Sequence, residues 1–302
     1  MFKLKGIALI LFMVLITSFV FSSEFPKSSS NDFDKDIVFV VDRIEIPSGT
    51  DAYYYIYYFK VFIRSLKLDM PSGADKNYHA NLYLKIKVTD TKSGKEVLAQ
   101  EFKRPLTAAT ISNASFHVEY FGVELKPGTY KVEVVILDTF AESDGKVPEG
   151  TKQAVFTDDL NLYPRQSTLL ISDPILTAKP IEAAKGGSQD FVIGSLYVYP
   201  NVDHITGSSL PFGLFFTINN LKMINGNARI EIEYTLKKDG AVFFFIKEVL
   251  DAQFQDIIHA VNPGRFASVY SLNPGTYSLE VKVLDMNGTT SSTKEILINL
   301  SK

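Results

Sequence analysis

The amino-acid sequence predicts an all-β chain folded as two tandem antiparallel β-sandwich domains. Three observations lead there. The stretch LKPGTYKVEVVILDTF at 125–140 recurs as LNPGTYSLEVKVLDMN at 272–287, so each copy closes one of two similar units. Elsewhere, short runs rich in β-branched and aromatic residues are punctuated by turn residues, with no sustained helical period. At 302 residues, 46% hydrophobic and 22% charged, the chain is long and apolar enough for two cores.

Residues 1–22 have the layout of a signal peptide: Lys3 and Lys5 precede the uncharged run GIALILFMVLITSFVF. Cleavage near Ser23 gives an exported protein, periplasmic or extracellular. Retention of the segment makes it a membrane anchor, although the run is slightly short of the ~20 residues a spanning helix needs. With no Cys, neither a lipidated N-terminal Cys nor a disulfide is available. That combination suits a bacterial envelope. Residues 23–36 are polar and Ser-rich and read as a flexible leader. Asp32, Asp34 and Asp36 alternate there, but a calcium loop needs a Gly and a Glu where the chain has Ile37 and Arg43.

The first sandwich is expected over 37–165. IVFVVDRIEI leads through a Pro47-Ser48-Gly49 turn into AYYYIYYFKVFIRSLKL, too dense in aromatic and β-branched residues for a helix. In that strand Tyr53, Tyr55, Tyr57, Phe59 and Val61 share one face and Tyr54, Ile56, Tyr58 and Lys60 the other. Both faces are aromatic. Either one fills the core while the neighbouring domain covers the other, or one is a surface for binding. HANLYLKIKVTD and KEVLAQEF form a hairpin about Lys92-Ser93-Gly94, and strands at 116–123 and 153–163 flank the first repeat. In both repeats Pro127 and Pro274 preset a turn, Gly128 and Gly275 tolerate positive φ, and a strand follows.

The second sandwich is expected over 166–302, with a boundary near 163–168 and no flexible linker. TLLISDPILTA carries a Ser-Asp-Pro break, KPIEAAKGGSQD is a polar loop, and FVIGSLYVYPN, LPFGLFFTINNL and NARIEIEYTLKKDG are strands. Lys238-Asp239-Gly240 turns the chain into AVFFFIKEVL. Residues 251–260 read as a short helix or an irregular crossover. Tyr130 and Tyr277 stand where a tyrosine corner anchors the preceding loop in immunoglobulin- and fibronectin-III-like sandwiches, the subclass expected here.

Little points to chemistry. A net charge of −3 with no basic face argues against nucleic acid and anionic membrane as partners. His79, His117, His204 and His259 lack metal-ligand spacing and read as surface or loop residues. Neither the Lys92–Glu96 turn nor Gly207-Ser208-Ser209 completes a phosphate-loop or nucleophile motif. No catalytic, cofactor-binding or metal-ligating residue is assigned, and the chain is read as no enzyme. The possible interaction surface is Tyr53, Tyr54, Tyr55, Tyr57 and Tyr58, although the chain has no Trp, the side chain that stacks best on sugars.

Several segments, in order, resemble the tandem β-sandwich region of bacterial GWxTD-domain proteins. They are the aromatic strand at 53–61, LYLKIKVTDTKSGKEV at 82–97, LKPGTYKVEVVILD at 125–138, LLISDPILTA at 169–178, and LYVYPN followed by PFGLFFTINNLKMINGNARIEIEYTL within 196–236. The resemblance implies an envelope protein. Without Trp the naming motif is absent, so no activity tied to it is implied. The expectation is a non-catalytic exported module that binds another envelope or extracellular protein, through a sheet edge or the aromatic strand. A carbohydrate-binding module using Tyr53–Tyr58 is the alternative, and a hydrolase assembled across strands a more distant one.

Overall fold

The computed structural model describes residues 36–48, 51–70, 73, 76–112, 114–139, 148–164, 168–179, 182–183, 192–193, 196–207 and 212–301. The signal-like segment 1–22 and, apart from Asp36, the leader lie outside the described residues, as does most of KPIEAAKGGSQD.

In the N-terminal half, alternating apolar residues form β1 (Phe39–Ser48), β2 (Ala52–Phe62), β3 (Leu68–Asp69) and β4 (Tyr78–Asp90). They are followed by β5 (Glu96–Ala108), β6 (Phe116–Leu125), β7 (Gly128–Leu137) and β8 (Gln153–Leu162). One antiparallel sheet has the order β1-β2-β6; the other runs β5-β4-β7-β8, with β3 against the start of β4. Tyr57, Phe59, Leu84, Val132 and Val134 are among the buried residues with which the two sheets share one core.

The C-terminal half begins with β9 (Leu170–Ile171) and β10 (Ile175–Thr177), then β11 (Glu182–Ala183), β12 (Val192–Ile193), β13 (Leu196–Tyr197) and β14 (Ile205–Thr206). It continues with β15 (Gly213–Asn219), β16 (Ala228–Lys238), β17 (Ala241–Ala252), β18 (Ile257–Val261), β19 (Gly275–Asp285) and β20 (Thr290–Leu300). β9 and β10 lie end to end along one edge of β15 and β18 along the other; the opposite sheet is β17-β16-β19-β20. This is the strand order of the N-terminal half over again. The halves differ between their first two strands. Only residues 49–51 separate β1 from β2, whereas the segment between β10 and β15 carries a small β11-β13-β12 sheet and β14, which pairs in parallel with the end of β20.

Local chemistry explains the reversals. Gly94 has φ +69, with Asp90 Oδ1 accepting the N–H of Lys92 and Ser93 at 2.9 Å, and Asp239 and Gly240 have φ +51 and +79 between β16 and β17. Three expectations differ from the structure. Gly275 has φ +148, but Gly128 is not in the positive-φ region; a Cβ there would come within 3.1 Å of the Tyr130 hydroxyl, so that glycine makes room for a ring. Residues 251–260 are neither helix nor irregular crossover: β17 runs to Ala252 and β18 starts at Ile257. A 3-10 segment at Pro263–Ser271, unforeseen in the sequence, buries Phe266 between Phe212 and Tyr234.

Candidate interaction surfaces

The aromatic strand β2 is sandwiched. On its odd face Tyr55, Tyr57, Phe59 and Val61 enter the N-terminal core, with Tyr57 stacked on Phe121 at 5.0 Å between ring centres. The Tyr57 hydroxyl donates to Asp158 at 2.8 Å, which also accepts from Arg43 at 2.8 Å, and Tyr55 donates to Glu45. Burial, and then the adjacent carboxylate, push both phenols well above their ordinary range, so they remain donors.

On the even face Ile56 and Tyr58, with Ile44 of β1, pack against Ile175, Val198, Val202 and Phe215 of the C-terminal half. β15 mirrors β2: Leu214, Phe216 and Ile218 face its own core while Phe215 faces the seam. Polar contacts ring this seam. Glu45 and Asp173 exchange two hydrogen bonds at 3.0 Å, Lys294 donates to Asp173 at 2.7 Å, and Lys60 pairs with Asp203. His204 Nε2 stands 3.1 Å from Asp42 Oδ2, both side chains buried.

Of the five tyrosines read as a possible interaction surface, Tyr55, Tyr57 and Tyr58 are thus buried, Tyr53 is half-buried, and Tyr54 is 38% exposed. Tyr54 lies flat over Gly122, whose missing side chain makes the space, at one wall of a groove of about 310 Å³ lined by Ile46, Pro47, Tyr58, Tyr120 and Ile193. One exposed ring makes no sugar-stacking platform. Tyr130 and Tyr277 each begin the strand after the repeated turn, and their hydroxyls donate to the carbonyls of Lys126 at 3.0 Å and Asn273 at 2.9 Å.

The C-terminal half presents a more open surface. Among the described residues β17 pairs with β16 alone, so its other edge carries unpaired backbone groups. Alternation packs the partly buried Phe244, Ile246 and Leu250 against the core and turns Phe245, Lys247 and Val249 outward, with Phe245 55% exposed, while Phe243 sits at a bulge and packs edge-on against Tyr277. The matching edge strand of the N-terminal half, β5, turns out Ala99, Glu101, Lys103 and Pro105, and Pro105 has no N–H to offer.

Behind β17 sits a polar cluster that the sequence did not announce. Tyr234 donates to Glu248 at 2.6 Å, His259 Nε2 lies 2.9 Å from both, and Arg265 donates to Glu248 at 3.2 Å. Hydrogen bonding from His259 holds Glu248 below the ordinary carboxylate range despite burial, while burial and Glu248 push Tyr234 far up. Glu248 is therefore an ionised acceptor surrounded by donors, which clasps β17 to β18 across the open side of the sandwich. His259 is thus not the surface or loop residue expected but lies partly buried on β18, whereas His204 is a loop residue whose ring is buried at the seam rather than exposed. Among the described residues no group of three or more His, Asp or Glu side chains is placed to hold a metal, and no helix is long and apolar enough to cross a membrane.

The architecture is all-β and resembles the immunoglobulin- and fibronectin-III-like sandwich class. No family model matches the chain, and no curated protein matches it. Among solved structures, the crystal structure of the chicken CNTN1 FN1–FN3 domains matches at 9% identity over 88% of this chain and 96% of that one, with a TM-score of 0.21. A score of that size fixes neither function nor partner, and the class stands on the strand order.

Proposed function

We propose that this protein is a non-catalytic, exported module of two tandem immunoglobulin/fibronectin-III-like sandwiches that binds another envelope or extracellular protein along the β17 edge. The observation that carries the reading is the contrast between equivalent edges. β5 is closed to strand addition by charge and Pro105, whereas among the described residues β17 offers a free edge beneath the outward Phe245 and Val249. Burial of the aromatic strand at the seam supports the choice of β17 over the tyrosines. The signal-like N-terminus and the resemblance to GWxTD-protein sandwiches support the envelope setting.

Affinity capture from the native envelope with wild type and a Phe245→Lys variant tests this. The expected result is a protein captured by wild type and depleted about tenfold or more by the variant, the scale set by loss of a buried aromatic anchor. Capture that is indifferent to the variant, from a protein that otherwise behaves as an inert monomer, contradicts it.

A further inference from the structure

We infer that β17 is self-complementary and joins two copies of this chain, edge to edge, into a two-fold dimer with one continuous β-sheet. The inference rests on the reading that β17 is a binding edge and names a second copy of the chain, in place of a foreign protein, as its occupant. At the other end of the same sheet β14 pairs with the last two residues of β20, Asn299 and Leu300, whereas among the described residues no strand pairs with the outer edge of β17 along its whole length.

The order of outward side chains names the occupant. They run Phe245, Lys247, Val249 and Asp251. When β17 pairs antiparallel with a second copy about a two-fold axis at Val249, each Val249 meets the other, and Lys247 of each copy stands opposite Asp251 of the other. Two opposite-charge contacts arise from one strand. Phe245 falls opposite residue 253 of the second copy, beside Phe254, which is 71% exposed in the monomer. A two-fold axis generates every contact twice, as isologous interfaces require. Lys247 already lies 2.6 Å from Glu231 and 3.7 Å from Glu233 of β16, so reversing its charge alters the monomer too. Asp251→Lys is therefore the cleaner substitution.

Sedimentation of the full chain through the upper micromolar range tests the proposal. Wild type is expected to dimerise reversibly, and Asp251→Lys and Lys247→Asp each to weaken association on the order of tenfold or more, because like charges then face each other. Mixing the two single variants restores dimer, since both contacts become opposite in sign again. A register probe is available because the chain has no cysteine. Val249→Cys places one thiol against its own copy within disulfide reach and is expected to crosslink far faster than Ala99→Cys on β5. Unchanged circular dichroism of each variant separates lost pairing from lost folding. A wild type that stays monomeric, a dimer indifferent to charge reversal, or equal crosslinking at 99 and 249 overturns self-pairing. Those outcomes leave the reading of β17 as an edge for a foreign protein to be decided by the capture experiment.

Discussion

His204 occupies a turn with φ +52, its backbone N–H donating to Asn201 at 3.0 Å and its ring set against Asp42 across the seam. Burial pulls the imidazole pKa down. The charge and hydrogen bond of Asp42, the Leu297 backbone and the nearby Asp203 more than offset it, so the pKa lies above the ordinary histidine range. Lys60, paired to Asp203, is the cation beside this group. A histidine with a raised folded-state pKa contributes stability that is complete below its unfolded value of about 6.5 and is lost as pH rises through the folded value. Thermal melting is therefore expected to show this contribution fading from mildly acidic toward mildly alkaline pH. His204→Asn suits the test, since Asn tolerates positive φ and carries no charge. It should flatten that slope and cost about 3 kcal/mol at acidic pH, because Asp42 is left buried without its cation. An unchanged slope would assign the titration to another group. None of this was legible in the sequence: Asp42 and His204 are 162 residues apart, and only the packing of the halves unites them.

At the scale of elements, the repeated stretch works as a turn fastened at both ends. At its start, Tyr130 and Tyr277 tie the preceding loop through one hydroxyl each. At its end, the recurring Leu-Asp places Asp138 and Asp285, both buried. Asp285 accepts from the N–H of Lys222 at 2.7 Å and from those of Asn287 and Gly288 at 3.0 Å, and Asp138 accepts from Lys152 at 2.9 Å. Tyr130→Phe or Tyr277→Phe should each lower stability by about 1 kcal/mol in denaturant unfolding, the net worth of one hydrogen bond. Asp285→Ala should cost about 2–3 kcal/mol, since three donors lose their acceptor at a buried site. If Tyr277→Phe abolishes partner capture at unchanged stability, the residue belongs to a site rather than to the scaffold. These strands and hairpins were largely legible, because a period of two and turn residues such as Asp239-Gly240 act locally. The strand nature of 251–260 was hidden because IIHAV is short and its partner β15 lies some 40 residues earlier. The FFF run of β17 could have been parsed in part: alternation sends Phe244 inward and Phe245 outward, but the bulge that sets Phe243 against Tyr277 has no local signal. What alternation could not tell is that, among the described residues, no strand covers that edge.

At the scale of the molecule, β2 is aromatic on both faces because it belongs to two cores. The sequence raised that alternative without being able to identify the cover, since Val198, Val202, Ile175 and Phe215 come from three separate segments. A seam of this kind couples the halves. The chain is expected to melt in one calorimetric transition, and Phe215→Ala, removing a fully buried ring from the seam, should cost about 3–5 kcal/mol and separate the melting of the two halves. A single transition persisting in that variant would show that the polar ring of Glu45–Asp173 and Asp42–His204 suffices for coupling. With Tyr55 and Tyr57 buried in the N-terminal core and Tyr58 in the seam, β17 is the edge proposed for protein binding. A photo-crosslinking residue placed at Phe245, or at Lys103 of β5, in the producing cell probes this proposal. Protein adducts, to a second copy or to a foreign chain, are expected from position 245 and none above background from 103; equal labelling at both positions, or none at 245, would contradict it.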